Sequence, residues 1–226
     1  MTHANELIIR ALKAGLTGKA HIDLQRNPLK LKLDAGSIII EGVVDSIAQK
    51  RRALLYAMTL EGVEGVVDRL FVAPAMPMSD ADIKRHFYDA MHFEAALQGC
   101  DINIEVRQSI IDIEGAVRSL SHKRLAGALA WWVPGSMEVI NSLEVEPPED
   151  DSDDELVDGL RLVLEKDVLV KNSSLSVSAL DSVVTLSGVV SSDAVKDAAE
   201  NDCWYVWGVN DVINNLRVEG GRGGGR

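Results

Sequence analysis

One order of apolar and polar positions occurs three times along the chain. A stretch with apolar residues at helical spacing is followed by two stretches of strict alternation, then by a second helical stretch and a last alternating one. Alternation at every second position indicates a half-buried strand, whereas spacing by three or four residues indicates an amphipathic helix. The pattern therefore predicts an α-β-β-α-β unit that is present in three tandem copies.

The three copies align without gaps at a constant offset of 73 residues. The residues that recur at this offset are Gly42, Gly115 and Gly188; Gly62, Gly135 and Gly208; Ser46, Ser119 and Ser192; Lys50, Lys123 and Lys196; and Leu70, Leu143 and Leu216. A period of this length is enough for a small domain with its own core. We predict a first, second and third repeat at 1–75, 76–147 and 148–219, followed by a flexible glycine- and arginine-rich tail at 220–226.

Each repeat is predicted to be an α+β domain, in which a three-stranded mixed sheet has two helices on one face and water on the other. The repeated serine is a natural N-cap for the second helix. The repeated Gly62, Gly135 and Gly208 are expected to end that helix in a turn. All of these features are structural, and none of them indicates a catalytic or ligand-binding role.

The repeated Gly42, Gly115 and Gly188 lie on the inward face of the second strand. Glycine within a strand often marks a close backbone approach, so a Cβ here is expected to collide with a helix that crosses the sheet. A β-bulge at the glycine is the alternative. Both interpretations make these glycines structural.

The water-facing side of the predicted sheet differs in chemistry among the repeats. It carries Lys30, Lys32, Ile39 and Glu41 in the first, Asn103, Glu105, Asp112 and Glu114 in the second, and Ser176, Ser178, Thr185 and Ser187 in the third. The copies have therefore diverged where they meet solvent or each other.

A family pattern is clearest in the third repeat. It has Val-Val-Thr-Leu-Ser-Gly-Val-Val at 183–190, paired alanines at 198–199 and Gly-Val-Asn-Asp-Val-Ile-Asn-Asn-Leu at 208–216. This arrangement resembles the BON domain, a bacterial module of osmotically induced envelope proteins. The second repeat departs from the pattern, because Pro134-Gly135-Ser136 replaces the Gly-Val pair.

The resemblance implies a non-catalytic binding or scaffold protein of three tandem BON domains. Members of the family are described as phospholipid-binding or envelope-associated, so the expected partner is a membrane phospholipid surface or an envelope protein in a stress context. Some cytoplasmic relatives bind potassium, which makes a cytoplasmic sensor of a small ligand or cation the alternative. A protein–protein interaction module is a second alternative.

The charge of the chain bears on the partner. The 35 acidic and 23 basic residues give a net charge of −12, which argues against nucleic acid. The charge is uneven, since residues 1–75 contain ten basic and eight acidic side chains. The candidate surface for an anionic partner is Lys30, Lys32, Lys50, Arg51 and Arg52. A solvated helix face is the alternative interpretation.

Aromatic residues follow the second helix of the last two repeats. The candidate apolar contact is Trp131, Trp132, Trp204, Tyr205 and Trp207. Consecutive aromatic side chains cannot all point inward, so some are expected to form an apolar patch that suits lipid headgroups or packing between domains. We favour packing between domains.

No residue pattern predicts an enzyme, a cofactor or a metal site. None of the five histidines recurs at the repeat offset, and His86 and His92 are six residues apart, which does not place them on one helix face. The acidic run at 146–155 lacks the alternating spacing of a calcium loop. Its two prolines and many acids predict an extended linker.

The chain has no apolar stretch of about 18 residues, the length of a membrane-spanning helix. Its N-terminus lacks a basic segment followed by an apolar one, and it has only two cysteines. These features favour a cytoplasmic location with reduced thiols. A signal that had been removed would instead allow a periplasmic location.

Overall fold

A computed structural model describes residues 3–219, with side chains described from residue 5 onward, so the predicted tail at 220–226 lies outside the described residues. The first repeat contains α1 (His3–Gly18), β1 (Lys30–Asp34), β2 (Ser37–Val44), α2 (Ile47–Met58) and β3 (Gly65–Val72). The second contains α3 (Asp80–Phe93), a 3-10 turn (Ala95–Leu97), β4 (Asp101–Arg107), β5 (Ile110–Val117), α4 (Leu120–Trp131), β6 (Glu138–Asn141) and β7 (Glu144–Val145). The third contains α5 (Asp153–Lys166), β8 (Ser174–Leu180), β9 (Val183–Val190), α6 (Asp193–Tyr205) and β10 (Asp211–Val218). The predicted α+β fold is confirmed.

Each repeat forms a mixed sheet around its second strand. In the first repeat β2 pairs antiparallel with β1 and parallel with β3, and in the third repeat β9 pairs in the same way with β8 and β10. In the second repeat β5 pairs antiparallel with β4, and the last strand is divided into β6 and β7, which both run parallel to β5. The predicted mixed sheet of three strands is therefore present in every copy.

The two faces of each sheet differ in burial, as the alternation predicts. Ile38 and Ile40 on β2 are fully buried, whereas Ile39 and Glu41 between and beside them are only half-buried. Val184 and Leu186 on β9 repeat the pattern. We call the buried face the helix side of the sheet, because the helices cover it, and the opposite face the open face.

The repeated serines begin the second helices as predicted. Ser46, Ser119 and Ser192 each have extended backbone, and each side-chain oxygen accepts a hydrogen bond from the N–H three residues later. This contact satisfies an N–H that the first turn of a helix otherwise leaves without a partner. The cap depends only on local sequence.

A carboxylate ties the first helix of a repeat to its hairpin. Gln108 and Ser109 both have positive φ, and the Asp80 carboxylate at the start of α3 accepts hydrogen bonds from both of their N–H groups at 2.8 and 2.9 Å. In the third repeat, the Asp153 carboxylate accepts from the N–H groups of Asp181 and Ser182 at the same two distances. The hairpin turns were predicted, but this anchoring was not.

The strand glycines were expected to avoid a clash between a Cβ and a helix that crosses the sheet. The prediction of a close approach is correct for Gly115 and Gly188, but the helix as the neighbouring element is wrong. A Cβ on Gly115 would lie 2.0 Å from the carbonyl oxygen of Asp101, and a Cβ on Gly188 would lie 2.3 Å from that of Ser174. Both oxygens belong to the antiparallel neighbour strand and not to a helix. No bulge interrupts the pairing, since Ile102 faces Gly115 in a continuous register. The φ values of +122° and +133° also favour glycine.

The glycines after the second helices have two different roles. Gly62 and Gly208 have φ values of +81° and +99°, which suits the turn that follows α2 and α6. At Gly135, a Cβ would lie 2.7 Å from the Cβ of Met78, so the absence of a side chain allows close packing there. The proline that precedes Gly135 accompanies this change of role.

The described residues divide after Pro74 into two compact units. The first unit holds the first repeat alone. The second unit holds the second and third repeats, whose helices pack against each other. The predicted series of three similar domains therefore contains one closely packed pair.

Candidate functional site

The open face of the first sheet collects basic side chains. Strand register places Lys30, Glu41 and Arg69 in one row and Lys32, Ile39 and Val67 in the next. We call these six residues the basic sheet face. They combine three cations and one carboxylate with two apolar side chains, and Asp34 adds a second carboxylate at the end of the same side of β1.

Ion pairs on the basic sheet face are exposed to solvent. The Lys30 Nζ lies 2.6 Å from the Glu41 Oε1, the Arg69 Nη1 lies 3.8 Å from the Glu41 Oε2, and Lys32 pairs with Asp34 at 2.9 Å. The hydrogen bond and the charge of Lys30 lower the pKa of Glu41. Exposed pairs of this kind contribute little to stability, so their cations can exchange partners.

The same face carries other chemistry in the other two repeats. The open face of the second repeat is acidic through Glu105, Asp112 and Glu114, with Asn103 beside them. The open face of the third repeat aligns hydroxyl side chains, because Ser176 faces Ser187 and Ser178 faces Thr185. Among the three faces, only that of the first repeat is basic.

Lys50 does not belong to this surface. Its side chain is buried, with 5% of the residue exposed, and its Nζ donates to the Leu70 carbonyl at 2.6 Å and pairs with Asp68 at 3.0 Å. The Lys196 Nζ donates in the same way to the Leu216 carbonyl at 2.9 Å. The lysine therefore connects the second helix to the last strand and is structural.

Arg51 and Arg52 also lie away from the basic sheet face. They are half-buried on α2, which covers the helix side of the sheet. The five predicted basic residues therefore do not form one surface. Arg69 does lie beside Lys30, but the sequence alone did not indicate it, because its position depends on the register between β2 and β3.

The predicted aromatic residues meet between the second and third repeats. The Trp131 ring stacks on Tyr205 with centroids 6.3 Å apart, and the Trp132 Nε1 donates to the Asp202 Oδ1 at 2.9 Å. Trp204 is fully buried. These contacts place the aromatic cluster in the packing between domains, which is the use that the sequence favoured.

Trp207 lies at the border of this cluster. About half of the residue is exposed, at 53%, and the Lys123 Nζ lies 5.8 Å from its ring centroid. Lys123 is the counterpart of Lys50 and Lys196. In the second repeat the lysine therefore contacts an aromatic ring of the third repeat.

Arg124 is a buried charge between the same two repeats. Its side chain donates to the carbonyls of Trp207 and Glu155, both at 3.2 Å, and to the Asp151 carboxylate at 2.5 Å. Only 1% of Arg124 is exposed. The sequence did not indicate this role, because Asp197 occupies the equivalent position of the third repeat.

The acidic run before α5 is held in place by the second repeat. The Glu149 Oε2 accepts a hydrogen bond from the N–H of Leu120 at 2.8 Å, while Asp151 binds Arg124. The predicted extended linker therefore carries contacts of the interface. A further ion pair joins Lys166 of the third repeat to the buried Glu94 of the second at 2.8 Å.

Comparison with known proteins identifies the repeats. The family model of the BON domain matches residues 8–74, 79–147 and 152–220, which is most of the chain. The chain belongs to the BON domain family. Its repeats are therefore BON domains, and the resemblance seen in the third repeat holds for all three.

Similarity to two individual proteins says less about this chain than the family model does. Osmotically-inducible protein Y of Escherichia coli (strain K12) is 28% identical over 148 residues, which are 63% of this chain and 74% of that protein. The solved C-terminal domain of CdsD, a structural protein of the type III secretion system of Chlamydia trachomatis, is 15% identical over 92% of this chain and 97% of that chain, with a TM-score of 0.26. At that TM-score nothing about this chain follows from the solved structure.

The second and third BON domains each have a cleft in the same place. The clefts, of about 430 and about 350 Å³, lie between the first helix, the following loop and the first strand. The floor is apolar in both, and its residues correspond at the repeat offset: Met91, Leu97, Ile102 and Ile104 match Leu164, Val170, Leu175 and Val177. The rims differ, with Tyr88 and His92 stacked in one and Arg161 and Lys171 in the other.

Among residues 3–219, no group of three or more His, Cys, Asp or Glu side chains is placed to hold a metal ion. Over the same residues, no helix is long and apolar enough to cross a membrane.

Proposed function

We propose that this chain is a non-catalytic binding protein that associates with anionic phospholipid surfaces through the basic sheet face of its first BON domain. The observation that supports this function is that Lys30, Lys32 and Arg69 lie in two adjacent rows of one sheet face, together with the half-buried Ile39 and the exposed Val67. Basic groups attract lipid phosphates, and small apolar side chains between them suit the headgroup region.

Charge favours the first domain over the other two. A Lys or Arg close to an anionic leaflet contributes about 1 kcal/mol of binding free energy. The acidic open face of the second domain, with Glu105, Asp112 and Glu114, would be repelled by the same leaflet. The first domain is therefore the part of the chain that would approach the lipid.

Similarity to osmotically-inducible protein Y supports a role in osmotic stress. A binding or scaffold role also agrees with the close pairing of the second and third BON domains. Fractionation of osmotically stressed cells tests whether the protein acts in the cytoplasm or the periplasm.

Vesicle co-sedimentation of the full chain tests the lipid proposal. We expect binding to vesicles that contain phosphatidylglycerol and not to vesicles of phosphatidylcholine alone, with affinity that falls as salt rises. The Lys30→Gln, Lys32→Gln, Arg69→Gln variant should bind roughly tenfold more weakly or worse.

The matched control is Arg10→Gln, Lys13→Gln, Lys19→Gln, which removes the same charge from two exposed positions of α1 and from the exposed residue that follows it. If both variants lose binding equally, the loss reflects only the lower net positive charge of the domain. That result would contradict binding through the basic sheet face. If vesicles do not bind but potassium or calcium raises the melting temperature, the alternative of a cation sensor is favoured. If neither binds, a protein partner is the better candidate.

A further inference from the structure

The open face of the third BON domain has very little charge. Register across β8, β9 and β10 gives it four rows of three residues: Leu180, Val183 and Asp211; Ser178, Thr185 and Ile213; Ser176, Ser187 and Asn215; Ser174, Val189 and Arg217. We call these twelve residues the neutral sheet face, because only Asp211 and Arg217 are charged. The sequence around it is acidic, since residues 147–226 contain sixteen acidic and seven basic side chains.

Apolar side chains on the neutral sheet face are exposed to solvent. Leu180, Val189 and Ile213 are all exposed, and hydroxyl side chains lie between them in the rows of the sheet. An exposed apolar surface of this kind marks an interaction site. Serine and threonine are short, so a second sheet can approach closely and cover the apolar groups, as in proteins built from two packed sheets.

The other two domains carry charge where this face is neutral. Ser187 lies on the middle strand of the sheet, and its equivalents are Glu41 in the first domain and Glu114 in the second. Two copies of a face with a central glutamate would bury like charges against each other, which is costly. Among the three open faces, that of the third domain is therefore the one suited to pack against its own copy.

The two charged residues of the neutral sheet face lie at opposite ends of one strand. Asp211 begins β10 and Arg217 lies near its end, and both are exposed. A two-fold axis across the strands would lay β10 antiparallel on the β10 of a second copy, so that each Asp211 meets the other copy's Arg217. An axis along the strands would instead lay β10 on β8 and leave both charges opposite Leu180 and Ser174. The first arrangement makes the face complementary to itself, which a symmetric dimer requires.

We infer that the neutral sheet face binds a second copy of this chain, face to face, with β10 antiparallel to its counterpart. Packed sheets lie about 10 Å apart with strand directions within about 30° of each other, so the long Arg217 side chain can still reach Asp211 at the corner. The apolar and hydroxyl groups fill the centre, and the two ion pairs fix the orientation. This inference does not rest on the proposed lipid binding.

The size of the face determines how strong the dimer is. Three strands about 4.8 Å apart, with about 3.3 Å per residue along each strand, cover roughly 14 by 25 Å. Two such faces bury about 1,000 Å² or less in total, which is typical of weak interfaces. The net charge of −12 on each copy also opposes association. We therefore expect a dissociation constant on the order of 100 μM.

Sedimentation velocity of the full chain, at concentrations below and above this dissociation constant, tests for the dimer. The average mass of the wild type should rise toward that of two chains. Ser187→Glu should abolish the rise, and the fold should tolerate it because the other two domains have glutamate at this position. Asn201→Glu is the matched control, since it adds the same charge at an exposed position of α6, and it should dimerise like the wild type.

Charge reversal tests the orientation of the two copies. Asp211→Arg and Arg217→Asp should each weaken the dimer about tenfold or more, because like charges then meet at both corners. An equal mixture of the two variants should restore association, since opposite charges again face each other between the unlike chains. Recovery in the mixture would also show that both variants are folded.

The inference is overturned if the wild type remains monomeric at every concentration, which would leave the face to a partner of another kind. It is also overturned if Ser187→Glu dimerises like the wild type, as expected for pairing through an edge strand, because β9 is the middle strand. A mixture that associates no better than its two components would contradict the antiparallel placement of β10. If Ser187→Glu does not fold, Ser178→Glu repeats the test, since Glu105 occupies that position in the second domain.

Discussion

Gly159 of the third BON domain lies directly against Arg124 of the second. A Cβ on Gly159 would be 2.6 Å from the Arg124 Cδ, closer than carbon atoms pack. The bare backbone of α5 lets α4 approach, and the buried guanidinium can then reach Asp151 and the carbonyls of Glu155 and Trp207. Glycine inside a helix costs about 1 kcal/mol relative to alanine, so this contact must offset that cost.

The first prediction concerns this glycine. Gly159→Ala should lower the free energy of unfolding of the domain pair by about 1–2 kcal/mol, because the added methyl group displaces Arg124. In an Arg124→Ala background the same change should become neutral or stabilising, since the Cδ is gone and alanine favours the helix. Urea unfolding followed by tryptophan fluorescence measures both effects, and additive losses would show that the two residues are not coupled.

The buried arginine itself gives the second prediction. Arg124→Ala should destabilise the domain pair by about 3 kcal/mol, because two carbonyls and the Asp151 carboxylate lose a charged donor inside the interface. Arg161→Ala removes an exposed arginine that pairs with Asp158 on the same helix, and should cost less than about 0.5 kcal/mol. Similar losses in the two variants, measured by urea unfolding, would argue against the role of Arg124.

The third prediction compares the buried Lys50 with the exposed Lys32. Lys50→Met should lower the stability of the first BON domain by about 2 kcal/mol, because the Leu70 carbonyl and Asp68 lose a buried charged donor. Lys32→Met changes an exposed side chain and should stay within about 0.5 kcal/mol. Far-ultraviolet circular dichroism should follow unfolding here, since this domain has no tryptophan.

The strand glycines give the fourth prediction. Gly115→Ala should cost at least about 2 kcal/mol, because alanine is strained at a φ of +122° and its Cβ would overlap the Asp101 carbonyl. Gly18→Ala is the control, since a Cβ there meets no atom within 4 Å. A Gly115→Ala protein as stable as the wild type in thermal unfolding would exclude the close approach of the two strands.

The fifth prediction concerns the two thiols. Burial, together with the nearby Asp202 and Glu200, raises the pKa of the Cys203 thiol, and the residue is inaccessible to solvent, whereas Cys100 is half-buried. A disulfide reagent attacks the thiolate, so one thiol should react readily in the folded chain and the second only on unfolding. Cys100→Ser should remove the early reaction, and an early reaction that survives in this variant would contradict the burial of Cys203.

Local features of this protein were predictable from sequence. Ser46, Ser119 and Ser192 could be assigned as N-caps because the hydrogen bond that defines a cap lies within one turn. The strand glycines were correctly predicted to be sites of close approach, but a helix was predicted where the structure has a neighbouring strand. Alternation shows which face of the sheet a residue occupies, and it does not show which atoms lie opposite that residue. Lys50 was misplaced for a similar reason: its partner is a carbonyl on a distant strand.

The sequence by itself determined that there are three α-β-β-α-β copies and where the second helix of each copy begins, because capping and alternation act over a few residues. Only the tertiary structure decided that the second and third BON domains share Arg124 and the contact of Asp202 with Trp132. These partners are 27 to 83 residues apart in the chain. The effect of burying a charge depends on every group that surrounds it, and that environment exists only after the domains have packed.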